Sequence, residues 1–104
     1  MTTPTTLHSR AEVTTATPAR YAKQLVSHLS RKVTSTTDGD TSTVQLGEAT
    51  GQVVVGDRLL VLLASGPDEQ AVAQVKDVLG RHLERFGARD ALTVTWTRGT
   101  LERP

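Results

Sequence analysis

Two histidines and the arginines close to them are the side chains of this chain whose types and spacing could support chemistry. His28 and His82 each fall late in a predicted helix, beside its apolar stripe. An imidazole can transfer protons or bind a metal, and a guanidinium beside it can hold a carboxylate or a phosphate. Segment 81–86 places two arginines around His82 in this way, although a solvated helix end is the simpler interpretation.

The two histidines are expected to lie near opposite ends of the helical layer. Four predicted strands separate the two helices, and this number of reversals makes the helices antiparallel. A helix C-terminus favours a protonated histidine, so a structural role near each helix end is the simpler interpretation. A single site that uses both His28 and His82 is therefore not predicted.

Composition and motifs exclude several classes of function. The chain has 104 residues, 12 Lys and Arg against 11 Asp and Glu, 3% aromatic residues and no cysteine. The near-zero net charge and the few aromatic residues argue against nucleic-acid binding, and the lack of cysteine excludes disulfides and thiolate metal sites. The longest apolar run, residues 59–64, is too short to cross a bilayer, and the polar start lacks a secretory signal. We expect a cytoplasmic protein that contacts neither nucleic acid nor a membrane.

No nucleophile elbow, glycine-rich phosphate loop or paired-histidine motif occurs. We therefore predict no catalytic residue and no metal ligand. The pattern indicates no particular cofactor.

Two amphipathic helices are predicted. The first begins at Thr17-Pro18, where Thr17 is the expected N-cap, and runs to about Lys32. It contains no acidic residue and is therefore basic, although the whole chain is not. The second is capped by Ser65 or Asp68 and ends at Gly87.

The remaining alternating segments predict strands at residues 9–16, 33–37, 41–46, 52–55, 58–64 and 91–97. The order along the chain is thus β-α-β-β-β-β-α-β. Two helices cannot cover both faces of so wide a sheet, so we predict an α+β two-layer sandwich with one antiparallel sheet and both helices on one face. This single domain spans residues 9–97, between a disordered lead at 1–8 and a flexible tail at 98–104.

The segment 59–64 is apolar on both faces, which predicts a central strand whose second face needs a cover. Leu60 and Leu62 are assigned to that open face, together with Val54 from the neighbouring strand. Three interpretations are open: a curled sheet or the N-terminal lead shields these residues, two copies self-associate through the sheet face, or the face holds an apolar part of a ligand.

Segments 17–32 (TPARYAKQLVSHLSRK) and 80–96 (GRHLERFGARDALTVTW) resemble the two signature stretches of the domain of unknown function 2218 family. The resemblance implies an α+β fold and a bacterial cytoplasmic protein, whose genes are often found near those of siderophore use and iron uptake. It implies no activity. If the shared stretches mark a ligand site, the candidate residues are Arg20, Tyr21, Gln24, His28, His82, Glu84, Arg85 and Trp96.

These observations favour a small binding or accessory protein rather than an enzyme, with a link to iron or siderophore handling that rests on the resemblance. A polar pocket between the helices would hold a small anionic ligand. One alternative is a small enzyme in which a helix histidine acts as general acid–base on an anionic substrate. Another is a protein-interaction module that uses the basic helix through Arg20, Lys23, Arg31 and Lys32.

Overall fold

The computed structural model describes residues 7–98, which form one six-stranded antiparallel sheet and two α-helices. The predicted α+β class and the predicted order along the chain are confirmed, with one added 3-10 turn. The elements are β1 (Leu7–Thr14), α1 (Pro18–Leu29), β2 (Ser35–Asp38), β3 (Thr41–Leu46), β4 (Ala49–Gly56), β5 (Leu59–Gly66), α2 (Glu69–Phe86), the 3-10 turn Ala88–Asp90 and β6 (Trp96–Arg98). Neither helix within residues 7–98 has the length and apolar character needed to cross a membrane.

Tight hairpins build one side of the sheet, and β1 and β6 complete the other. The spatial order is β2-β3-β4-β5-β1-β6, with every neighbouring pair antiparallel. The strand predicted at 52–55 begins at Ala49 instead, because a two-residue turn at Gly47, whose φ is 63°, reverses the chain earlier. This strand also continues to Gly56, and the next begins at Leu59, so the turn between them comprises residues 57 and 58, with its positive φ on Arg58.

The helix ends differ in detail from the predicted ones. The Thr17 side chain makes no capping hydrogen bond, and α1 ends at Leu29 rather than at Lys32. A turn follows the helix, in which the backbone N–H groups of Lys32 and Val33 both donate to the Leu29 carbonyl. At α2, the Asp68 carboxylate accepts the Ala71 N–H at 2.8 Å, which confirms one of the two predicted caps.

Both helices cover the same face of the sheet. Side chains that alternate along four strands form one core with residues of α1, α2 and the segment after α2. The core contains Ala11, Val13, Tyr21, Ala22, Leu25, Leu29, Val44, Leu46, Ala49, Val53, Leu60, Leu62, Ala64, Val72, Val75, Leu79, Leu83 and Leu92.

The assignment of Leu60 and Leu62 to the open face is wrong. Both are fully buried under the helices, and Leu62 lies between Ala11 and Val53 in the sheet register. Because both alternating sets of β5 are apolar, the period of two could not decide which set faces inward. The neighbouring strands place small apolar residues beside Leu60 and Leu62, and this pairing determines that these two leucines face the helices.

The other set of β5 residues lies on the uncovered face. Val61 stands beside Val54, which is therefore on the open face as predicted, and Leu63 stands beside Gln52 and Arg10. Val61 and Leu63 are only 8% and 9% exposed, although neither helix covers this face.

The boundaries of the domain also shift. Leu7 and His8 belong to β1 and pair with β5, rather than to a lead. The last strand comprises only Trp96–Arg98 instead of 91–97. The predictions for the rest of the lead and tail, residues 1–6 and 99–104, lie outside the described residues.

Gly87 ends α2 for a steric reason. Its φ is −97°, so the left-handed conformation is not what requires glycine there. A Cβ at this position would lie 2.5 Å from Leu92 Cγ and 2.9 Å from Leu92 Cβ. Because Gly87 has no side chain, Leu92 can pack directly against it, and the chain can fold back along α2.

Leu62→Ala should lower the free energy of unfolding by about 2–5 kcal/mol, because it leaves a cavity under the helices. Val54→Thr, on the opposite face, should cost less than about 1 kcal/mol. Urea unfolding followed by circular dichroism measures both. Equal costs would contradict the assignment of the two faces.

Gly87→Ala should cost about 1–3 kcal/mol, because the added methyl group overlaps the Leu92 side chain. In a Leu92→Ala background the same change should cost less, since the Cγ and Cδ atoms are gone. Unfolding experiments on the two single variants and the double variant form the cycle. An unchanged cost in both backgrounds would show that Leu92 is not responsible.

Candidate functional site

An open polar cleft of about 570 Å³ lies between the start of α1 and the end of α2. It is lined by Arg20, Tyr21, Gln24, Arg85, Phe86, Ala88, Arg89 and Asp90. Four of the eight residues suggested by the family resemblance are in this lining: Arg20, Tyr21, Gln24 and Arg85. The two signature stretches therefore meet in space.

Antiparallel packing of the two helices brings these residues together. Tyr21, in the first turn of α1, contacts Asp90 just after α2, whereas His28, near the end of α1, contacts His82 further back in α2. The helices thus run in opposite directions along their contact. Arg20 and Gln24 are one turn apart on α1, and Arg89 lies four residues after Arg85.

Asp90 is held by Tyr21. Tyr21 is 8% exposed, and its hydroxyl donates a hydrogen bond to the Asp90 carboxylate. This hydrogen bond, burial and the negative charge of Asp90 raise the Tyr21 pKa, while Arg20 and Arg89 act in the opposite direction. Tyr21 is therefore a neutral donor at physiological pH, and one of the lone pairs of Asp90 is already used.

The guanidinium groups of Arg20, Arg85 and Arg89 carry the charge of the cleft. All three residues are exposed, and none of the three guanidinium groups makes a hydrogen bond or ion pair within residues 7–98. The cleft thus presents three cations against the single carboxylate of Asp90.

The two histidines lie next to each other, so the prediction that they occupy opposite ends is wrong. Their ring centroids are 4.9 Å apart, and the Phe86 ring packs against His28 edge-on at 5.4 Å. The helices are antiparallel as expected, but α1 has 12 residues and α2 has 18. Because the shorter helix lies along the second half of the longer one, its end reaches His82 rather than the beginning of α2.

Glu84 and Trp96 lie on the other flank of α2. The Glu84 carboxylate accepts the backbone N–H of Val94 at 2.9 Å. Trp96 packs beside Gly80, where a Cβ would lie 3.2 Å from the indole Nε1. These two candidates hold residues 94–96 against α2 and do not line the cleft.

Sequence reasoning did not single out Arg89 and Asp90 as site residues. Both belong to the 3-10 turn Ala88–Asp90, which follows the close turn at Gly87 and leads back past α1. The feature of the sequence that could have identified them is their position in the second signature stretch, residues 80–96. Only the folding back of the chain after α2 shows that they face Tyr21.

The basic residues of and after α1 do not form one surface. Arg20 lines the cleft, whereas Lys23 lines a separate groove of about 460 Å³ next to the β2–β3 hairpin, together with Asp40. Arg31 and Lys32 belong to the turn after the helix. The densest positive charge is therefore at the cleft.

The tyrosinate absorbance of the folded protein should show a midpoint above the ordinary Tyr pKa of 10.0. Tyr21 is the single tyrosine of the chain, so the signal reports this group alone. The folded state favours the protonated Tyr21 hydroxyl more than the unfolded state does, which stabilises the fold at neutral pH. This stabilisation is lost as the pH rises through the raised pKa of Tyr21.

Asp90→Asn should lower that midpoint, because it removes the carboxylate charge that opposes ionisation. Asp77→Asn removes an exposed carboxylate elsewhere on α2 and should leave the midpoint unchanged. A midpoint insensitive to Asp90→Asn would contradict the Tyr21–Asp90 interaction.

Comparison with known proteins identifies a family and a fold. The DUF2218 family model, described as an uncharacterized protein conserved in bacteria, matches residues 10–97. Among solved structures, the chain is similar to the NMR structure of PA4090 from Pseudomonas aeruginosa, with a TM-score of 0.75 and 22% identity over 88% of this chain and 95% of that chain. No curated protein matches the chain. The family match confirms the resemblance read from the two stretches: the chain belongs to the DUF2218 family of uncharacterized proteins conserved in bacteria.

Proposed function

We propose that the protein binds a small ligand that carries carboxylate or phosphate groups, in the cleft between α1 and α2. The observation that carries this proposal is the convergence of Arg20, Arg85 and Arg89 on one cleft without ion-pair partners within residues 7–98. Uncompensated like charges repel one another, and an anionic ligand relieves that repulsion. The bare protein thus has an electrostatic reason to take up an anion.

The chemistry of the lining fits this ligand class. A guanidinium donates two parallel hydrogen bonds to a carboxylate or phosphate, and the Gln24 amide adds both donor and acceptor capacity. Because the cleft is open to solvent, each contact contributes modestly and weakens in salt. Affinity must therefore come from several arginines acting together on a ligand with more than one anionic group.

Binding fits the geometry better than histidine-dependent catalysis does. His28 and His82 are not among the side chains that line the cleft. The distribution of charge also favours the cleft over the α1 surface as the recognition site, since Lys23 faces a different groove.

A finer version of the proposal concerns the identity of the anion. Metal chelates of polycarboxylate ligands, including ferric siderophores, belong to the class that three arginines would recognise. The link to iron handling comes from the family resemblance. Comparing iron-free with ferric citrate separates recognition of the chelate from recognition of the free anion.

Thermal unfolding and titration calorimetry at low ionic strength test the proposal with inorganic phosphate, citrate and ferric citrate. A probe at 100 times its dissociation constant should stabilise the wild-type protein by about 2.7 kcal/mol. Arg89→Gln should weaken binding at least about tenfold, because a hydrogen bond to a charged group contributes about 1.5–3 kcal/mol.

Arg31→Gln is the matched control, because it removes the same charge outside the cleft and should leave affinity nearly unchanged. Added salt should weaken binding by the wild-type protein. If none of the three probes stabilises the protein, or if the two variants lose affinity equally, the cleft is not an anion site.

A further inference from the structure

We propose that His28 and His82 together bind a divalent transition-metal ion through one imidazole nitrogen each. The pair lies between the two helices, one turn away from the cleft residues Gln24 and Phe86. This inference does not rest on the proposed anion site, because the two histidines are not in its lining.

The separation of the rings matches that of two imidazoles on one metal. With metal–nitrogen bonds of about 2.0–2.1 Å, each ring centroid lies roughly 3.2 Å from the ion, so two neighbouring ligands at about 90–109° have centroids about 4.5–5.2 Å apart. The observed separation is 4.9 Å. The two helices are therefore already close enough together for both rings to reach one ion.

The hydrogen bonding of His82 leaves the correct nitrogen available. Its Nδ1 lies 2.7 Å from the backbone carbonyl of Val78, and because a carbonyl only accepts, Nδ1 must carry the proton. In the neutral ring, Nε2 then has a free lone pair. Metal-binding histidines commonly donate their other ring N–H to a carbonyl or carboxylate in this way, which fixes the tautomer and the ring orientation.

The surrounding packing holds the pair in place while leaving it accessible. Leu25 and Leu29 of α1 and Leu79 and Leu83 of α2 are buried core residues on the same helical segments, so the two backbones are fixed relative to each other. His28 is exposed, which gives an ion a route to the site and leaves its other coordination positions to water.

The ligand set selects the kind of ion. Within residues 7–98 there is no group of three or more His, Asp or Glu side chains that could hold a metal, so two imidazoles would be the whole protein contribution. Imidazole suits Zn²⁺, Ni²⁺ and Cu²⁺, whereas Mg²⁺ and Ca²⁺ prefer oxygen ligands. The nearby guanidinium of Arg85 opposes a cation, so affinity should be moderate.

Titration of the tag-free full chain with NiCl₂, ZnCl₂ and MgCl₂, followed by calorimetry, tests the site. The wild-type protein should bind Ni²⁺ and Zn²⁺ with a stoichiometry near one and should not bind Mg²⁺. Loss of a supporting residue around a metal ligand already costs about 10–100-fold in affinity. His28→Gln and His82→Gln should therefore each weaken Ni²⁺ binding at least about tenfold.

Two control variants show whether the ion binds at this pair of histidines. His8→Gln changes the third histidine, which lies in β1, and should leave Ni²⁺ affinity unchanged. Arg89→Gln weakens the proposed anion site and should also leave Ni²⁺ affinity unchanged, so the two proposals can fail separately. Circular dichroism checks that each variant is folded.

Electron paramagnetic resonance of the Cu²⁺ form gives a second readout. Hyperfine structure from two equivalent nitrogens should be present in the wild-type protein and reduced to one in either single variant. Wild-type affinity for Ni²⁺ in the His28→Gln/His82→Gln double variant, or equal binding of Mg²⁺ and Ni²⁺ by the wild-type protein, would overturn the assignment.

Discussion

Burial of one face of the sheet under the two helices is the interaction on which the rest of the structure depends. α2 comes so close to β4 that a Cβ on Gly51 would lie 3.0 Å from both Leu79 Cδ1 and Val75 Cγ1. Apolar side chains of four strands and both helices fill the layer between them. Because interiors pack as densely as organic crystals, this contact fixes the position of each helix on the sheet and thereby relative to the other helix.

The candidate functional groups are the side chains that this packing leaves at the rim of the helix pair. Tyr21 marks the transition: its ring belongs to the core, and its hydroxyl reaches the polar cleft, where it holds Asp90. Arg20, Arg85 and the two histidines lie on helices that buried neighbours hold against the sheet, and Arg89 lies on the 3-10 turn that follows α2. The backbone that carries the site is therefore positioned by the core beneath it, and no long loop is needed to organise it.

Local signals in the chain were sufficient for the elements and for the fold class. The polar residues before α2 and the apolar stripes of both helices each act within a few residues, so they can be recognised without knowledge of contacts, although the hairpin turn at Gly47 was missed. The failures occurred where local patterns were degenerate. β5 is apolar on both faces, and only its register with β1 and β4 shows that Leu62 points inward and Val61 outward.

Residue types alone therefore determined that this is a small cysteine-free α+β domain with a basic first helix, and which two segments carry its polar signature. Tertiary structure decided which of those polar residues meet. The offset between a 12-residue helix and an 18-residue helix placed His28 against His82, and the turn at Gly87 brought Asp90 to Tyr21. Neither contact has a local signature, because each depends on where two separately folded segments come to rest on the same sheet.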